Sequence, residues 1–416
     1  MSLGRRRVVV TGLGLMTPVG LTVKETWQGL LENRSGVGLI TAYDTSQHDV
    51  KIAGQIKNFV AENYIEKREA RRLDRFSQLA VAAANEAVAD SKLDFTKEDT
   101  ALCGVLMGAG IGGITEIEEQ KERLMSKGPG RVSPFLIPKL MANAAAAHVS
   151  IVHKLRGPNY CIVTACAAGA NALGAAYRTI QYGEADIMLA GGTEAAITPL
   201  GMAGFANMGA LSKRNDDPAG ASRPFDKERD GFVMGEGAGV VVLEELEHAL
   251  KRDAKIYAEF TGYGLSGDGY HMTAPCEDGN GGVRAMSGAL KDAALRPEDI
   301  DYINAHGTST PFNDKIETLA IKKVFGEHAR RIPVNSTKSM TGHTLGAAGG
   351  IEFVVLCLSL AEDKVHATLN YKTPDPDCDL DYVPGSARSH KIRHAMSNSL
   401  GFGGHNATLV ASKFKL

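Results

Sequence analysis

Apolar positions in this chain come in short blocks, separated by glycine-rich corners and by longer stretches of mixed polarity. RRVVVTGLG opens with a block that reads as a strand entering a Gly-rich turn, and KETWQGLLENR after it has helical spacing. Residues 66–92 read as one helix, basic at its start and Ala-rich later. ALCGVLMGAGIGG (101–113) and ADIMLAGGTEA (185–195) read as buried strands. Between them lie an Ala-rich helical stretch, PKLMANAAAAHVSIVHKL, and a β-prone run, Cys161 to Val163, that ends at a small-residue corner holding Cys166. Beyond that corner Leu173 and Tyr177 stand four apart, as on a helix. Residues 209–237 form a long polar loop with almost no periodicity, a length that in compact proteins often serves function.

From Gly235 onward the pattern gives a strand, a helix and a strand. Then come helix 282–294, strand DYINAHGTST, helix NDKIETLAIKKVFG, strand IPVNSTKS, helix LGAAGGIEFVVLCLSLAED and strand NATLVASKF. Strands alternating with helices imply an α/β fold with largely parallel, doubly covered sheets. The two halves also echo each other. LGAA occurs at Leu173–Ala176 and at Leu345–Ala348, and each copy precedes a Gly-rich corner and an apolar strand, from Gly235 and from Gly401. Matched order and spacing predict a duplicated α/β unit, divided into residues 1–255 and 256–416. Counting back from each LGAA pairs Cys166 with Lys338 and makes their two corners pseudo-symmetric mates.

Composition narrows the function. Lys plus Arg number 46 against 48 Asp plus Glu, a net charge of -2, which argues against a nucleic-acid binder held by bulk charge. The six cysteines form no C-x-x-C pair and read as reduced thiols of a cytoplasmic protein. RRRVVV imitates a signal peptide, but TGLG, Thr17 and Pro18 break it at once. No apolar run approaches the roughly 18 residues of a membrane span, so no membrane insertion is expected. Met1–Leu3 has the look of an expression scar. Gly12-Leu13-Gly14 lacks the third glycine of a dinucleotide fingerprint and is not read as one.

Candidate chemistry centres on Cys166. A cysteine at a strand-to-helix corner faces the unpaired N–H groups of the helix, which favour the reactive thiolate. His306 in NAHGTST and His343 in KSMTGHTLG both follow strands, at the ends where ligands collect in α/β sheets. Cys with two His could bind zinc, but no short ligand pair is present, and no metal is expected. A cysteine hydrolase needs one histidine and leaves the second unexplained.

TACAAGANAL, NAHGTST, NSTKSMTGHTLGAAGGIE and NSLGFGGHNA together resemble the elongating β-ketoacyl-acyl carrier protein synthases of dissociated fatty-acid synthesis, over essentially the whole chain. The resemblance implies a thiolase-like fold: duplicated βαβαβαββ halves in a five-layer α-β-α-β-α arrangement, assembled as a homodimer. It implies that Cys166 accepts an acyl chain and that His306 and His343 hydrogen-bond the thioester oxygen of malonyl-acyl carrier protein during decarboxylation. The N–H groups of Cys166 and Phe402 would form a second oxyanion hole, with Phe402 as gate. Lys338 and Glu352 match charged positions beside the histidines, Glu352 being structural or a ligand of a monovalent cation, and Asp314 and Glu317 are supporting residues. Thr308 and Thr310 match the pair that holds the phosphopantetheine arm. Ile111, Phe205 and Leu345 would line the acyl pocket, with residues near Phe135 reaching in from the partner subunit. No resident cofactor is implied, since phosphopantetheine arrives on the carrier. Arg68, Arg71, Arg72, Lys213 and Arg214 suit an acidic carrier protein. Gly209 stands where relatives often carry an arginine, which removes one docking contact. A type II polyketide ketosynthase shares these motifs, and a non-catalytic carrier-protein scaffold is the reading from another class.

Overall fold

The computed structural model describes residues 5–415, and the suspected scar Met1–Leu3 lies outside them. Two halves repeat one plan. In the first, β1 (Val8–Met16) leads to α1 (Arg75–Ser91), β2 (Cys103–Gly108), α2 (Ala144–His153), β3 (Asn159–Ile162), α3 (Ala168–Gln181), β4 (Ile187–Glu194) and β5 (Gly237–Glu245). In the second, β6 (Ala258–Gly267) leads to α4 (Asn280–Asp292), β7 (Tyr302–Asn304), α5 (Pro311–Phe325), β8 (Val334–Asn335), α6 (Ala348–Glu362), β9 (His394–Gly401) and β10 (His405–Ser412). The strands run β3-β2-β4-β5-β1 in one half and β8-β7-β9-β10-β6 in the other, the same order with each strand replaced by its counterpart.

The halves join at β1 and β6, where Val8–Val10 pair with Ala258–Phe260. Beyond Val10, a helix replaces the missing strand. Asp90 and Glu86 of α1 accept the N–H groups of Leu13 and Leu15 at 3.0 and 2.9 Å, so these buried donors stay satisfied. Gly12 and Gly14 make the approach possible, because a Cβ on either would collide with the carbonyl oxygens of Ala87 and Ala83. The Gly-Leu-Gly motif thus lies inside a strand, pressed onto a helix, and not in the expected turn.

Helices α3 and α6 pack between the two halves of the sheet, α1 and α2 cover the outer face of the first half, and α4 with α5 covers the second. Every residue of α6 from Ala348 to Leu360 is buried. Contrary to expectation, Leu345–Glu362 is long and apolar enough to cross a membrane, but 89% of it is buried inside the protein. A helix that is apolar all round is what a middle layer requires.

Four other expectations need correction. The pairs β2–β3, β2–β4, β7–β8 and β7–β9 are parallel, whereas the remaining pairs are antiparallel, so the sheet is mixed. Strand β9 went unpredicted because Ser397, Asn398 and Ser399 look like a loop; they are buried, and Asn398 Oδ1 accepts from Thr408 Oγ1 at 2.9 Å across the hairpin. Residues 66–92 break into Lys67–Ala70 and α1, with Asp74 capping the Phe76 N–H. The repeat alignment also shifts. A tight turn precedes each middle-layer helix, Ala165–Ala167 before α3 and Leu345–Ala347 before α6, with φ of 49° at both Ala165 and Leu345. Cys166 therefore corresponds to Gly346, not to Lys338. The two LGAA matches fall at different places on their helices and are coincidences of a Gly/Ala-rich chain.

Candidate active site

Cys166 sits in the turn between β3 and α3, next to Ala165, whose left-handed φ costs about 1–3 kcal/mol. Cys166 is 7% exposed, and the backbone N–H groups of Phe402 and of Cys166 itself face its sulfur closely enough to lower the cost of ionising it. These donors and Lys338 favour the thiolate, yet burial outweighs them and pushes the thiol up to about 11. The resting group is a thiol, not the thiolate that the helix terminus suggested. Gly401 allows the Phe402 corner to close over it, because a Cβ there would lie 2.9 Å from the Thr164 carbonyl oxygen.

His306 leaves the end of β7, and its loop is clamped from behind. Glu317 of α5 accepts the N–H groups of His306 and Gly307 at 2.8 Å each. Asp314 accepts those of Thr308 at 3.0 Å and Phe225 at 2.7 Å, with Arg229 3.7 Å away. His343 follows a short helix, Lys338–Thr341, and donates its backbone N–H to Val233 at 2.7 Å. The Leu345 N–H donates to His343 Nδ1 at 3.3 Å, so the neutral ring carries its proton on Nε2. The two imidazoles meet edge to face, centroids 5.2 Å apart. Burial, then the nearby Lys338, holds both well below the usual histidine range, and His343 adds to the effect on His306. They are neutral donors. Lys338 itself is buried against Glu352, whose carboxyl is pushed up to about 7 by burial despite that partner.

Cys166, His306 and His343 line a single cleft of about 370 Å³, together with Thr308, Thr310, Phe205, Leu345 and Phe402. The Thr308 and Thr310 hydroxyls lie 2.9 Å apart at its side. Ile111 does not line this cleft in the single chain, and 37% of it is exposed. Phe135 is exposed on the surface, with Arg72 over its ring. Arg68 and Arg71 are exposed and make no ion pair among the described residues, while Arg72 pairs with Glu69, Lys213 with Asp49, and Arg214 lies near Asp230. Among the described residues, no three His, Cys, Asp or Glu side chains gather as metal ligands would.

Sequence reasoning missed Phe232, which packs edge-on against His343 at 5.2 Å. It also missed Asp268, whose carboxylate takes the Asn406 side chain at 2.7 Å while its backbone N–H donates to Gly404, bracing the GFGG corner. The third omission is Glu194, fully buried at the end of β4, with burial pushing it up to about 7. One signal was visible: a carboxylate closing an otherwise apolar strand.

Comparison with known proteins agrees with this arrangement. Residues 5–249 match the family description Beta-ketoacyl synthase, N-terminal domain, and residues 257–372 match Beta-ketoacyl synthase, C-terminal domain. A 3-oxoacyl-[acyl-carrier-protein] synthase 2 from Synechocystis sp. is 55% identical over 414 residues, covering 100% of both chains. One from Staphylococcus aureus is 53% identical over 410 residues, 99% of each. Among solved structures, a Burkholderia phymatum beta-ketoacyl synthase superimposes with a TM-score of 0.92 at 35% identity, covering 99% of this chain and 100% of that one. The AntDE ketosynthase of a type II polyketide system, solved with its acyl-carrier protein, gives 0.90 at 40% identity, with 99% and 100% covered.

Proposed function

This chain belongs to the β-ketoacyl synthase family, and from that membership we infer that it is an elongating condensing enzyme of fatty-acid synthesis, a 3-oxoacyl-acyl carrier protein synthase 2. The observation that carries this reading is the meeting of Cys166, His306 and His343 on one cleft. In the first step the Cys166 sulfur attacks the thioester of an acyl-carrier protein, and its proton leaves on the carrier's thiol. The N–H groups of Cys166 and Phe402 hold the tetrahedral oxyanion. Malonyl-carrier protein then enters with its arm along Thr308 and Thr310. Loss of CO2 leaves an enolate, whose oxygen takes hydrogen bonds from Nε2 of His343 and from His306. The enolate carbon attacks the acyl carbonyl, Cys166 departs as a thiolate that regains its proton from solvent, and a 3-oxoacyl chain two carbons longer leaves on the carrier.

Neutrality of the histidines suits this role, since an imidazole donates to the growing charge without first taking a proton. Burial keeps them neutral, reinforced by Lys338, which is itself balanced by Glu352. Glu352 Oε2 and Asn304 Oδ1, buried without hydrogen-bond partners, are the oxygens that would hold a structural monovalent cation. The chain works as a cytoplasmic homodimer. Strand β3 ends one edge of the sheet, and Tyr160, Val163 and Ile151 beside it are 44%, 56% and 68% exposed, an apolar edge that a second copy would cover. The partner subunit would then close the acyl pocket over Ile111. Carrier protein docks on Arg68, Arg71 and Arg72 and on Lys213 and Arg214.

The polyketide reading has the solved type II polyketide ketosynthase at 40% identity behind it, but the fatty-acid synthases stand higher, at 53–55%. One experiment tests both. The protein is given an acyl-carrier primer and malonyl-carrier protein, and product length is read by mass spectrometry, with Cys166→Ala beside wild type. A single two-carbon extension that vanishes in the variant is expected. Normal extension by Cys166→Ala sinks the mechanism, and repeated unreduced extension favours the polyketide role.

A further inference from the structure

The mechanism makes no use of Glu194, although its carboxylate lies where the two halves meet behind the nucleophile. Oε2 accepts the N–H of Gly110 at 2.6 Å and that of Gly346 at 3.2 Å, while Oε1 accepts those of Ile111 at 3.2 Å and Gly112 at 3.1 Å. It makes no ion pair with a described residue. One oxygen thus ties the loop after β2, in the first half, to the turn before α6, in the second. The segments touch directly, since a Cβ on Gly346 would collide with the Gly110 nitrogen. Gly110 in turn faces Ala165, the residue before Cys166, at 3.5 Å from an added Cβ to its carbonyl oxygen. Electrostatically the carboxylate is a poor neighbour, because it opposes ionisation of Cys166. Its benefit must lie elsewhere. Both tethered segments lead into the apolar cluster that contains Cys166: Ile114 follows the first and Leu345 precedes Gly346, and they pack there with Phe205 and Met202.

We propose that Glu194 is a positioning residue for acyl transfer, fixing these two segments so that the apolar cluster beside Cys166 accepts a long acyl chain. The proposal rests on the condensing-enzyme reading above. Leu345 of the same turn donates to His343 Nδ1 at 3.3 Å, but the His343 backbone has its own anchors, N–H to Val233 at 2.7 Å and carbonyl from Gly235 at 2.8 Å, so malonyl decarboxylation depends on Glu194 far less than acyl transfer does.

Glu194→Gln separates the two effects. A glutamine keeps the shape but offers one oxygen, so its amide must face either Gly110 and Gly346 or Ile111 and Gly112, donor against donor. Acyl transfer to Cys166 is measured with C4- and C16-acyl carrier protein, and CO2 release with malonyl-carrier protein. Transfer from the C16 primer falls about tenfold or more relative to the C4 primer, as misplacement of a positioning wall predicts, while CO2 release stays within about twofold. Equal losses for both primers, or a parallel loss of CO2 release, would overturn the proposal in favour of a plain structural role. If the Gln variant does not fold, Glu194→Asp, which keeps both oxygens but withdraws them by one methylene, must change the C16-to-C4 ratio in the same direction, and an unchanged ratio overturns it as well. Wild-type protein that takes no acyl group onto Cys166 refutes the condensing-enzyme reading instead.

Discussion

His343→Ala removes one of the two N–H donors that converge on the malonyl thioester oxygen. The ring stands edge-on to His306, with centroids 5.2 Å apart, so the second donor keeps its own support from Glu317. His343 is 3% exposed, and water entering the gap cannot be aimed as the fixed Nε2–H is. Loss of one such preorganised donor costs about 3–4 kcal/mol, or about 10²–10³ in rate. CO2 release from malonyl-carrier protein, followed in single turnover, should fall by that factor. Acyl transfer to Cys166 should stay within about twofold, because its oxyanion is held by the N–H groups of Cys166 and Phe402. The wild-type CO2 release rate should also be flat above about pH 6.5, since both histidines titrate well below their ordinary value and are already neutral there. Equal damage to both half-reactions, or undiminished CO2 release, would refute the assignment.

Two further outcomes follow from other parts of the molecule. His248 lies 2.8 Å from Glu244 and 3.0 Å from Glu98, and the Glu244 hydrogen bond leads in pushing it up to about 9. A raised folded-state value means that its stabilisation, at most about 3 kcal/mol, is complete below about pH 6.5 and lost as pH rises through 9. His248→Gln should therefore lower Tm at pH 6 and make little difference at pH 10, and a Tm gap independent of pH would show that the pair carries no charge. Ile111→Phe should shorten the longest primer accepted in the C4 to C16 series, and an unchanged profile removes Ile111 from the pocket.

Local grammar made much of this protein legible. A strand covered on both faces must be an apolar run, and a corner that admits a substrate must be built of small residues. So β2, β4 and the Cys166 corner were readable without coordinates, and the shared motifs brought His306 and His343 to the same site. Hydrogen-bonded polar interiors were not readable. Ser397 to Ser399 in β9 look like loop because their partners, such as Thr408, lie on another strand. The repeat register was equally hidden, since a four-letter match cannot compete with the backbone turn at Ala165 and Leu345.

Charge is where the tertiary structure had the deciding vote. A helix N-terminus promised a thiolate at Cys166, but the atoms that bury it come from both halves of the chain, and desolvation outweighs the nearby donors. The same holds for Glu194, in the sequence only a carboxylate closing an apolar strand, which becomes a tie between halves once Gly110 and Gly346 are brought together. Periodicity and turn chemistry act over a few residues and are written locally. Solvent exclusion and Coulomb interactions depend on whatever the fold brings near, and that is known only once the chain has closed on itself.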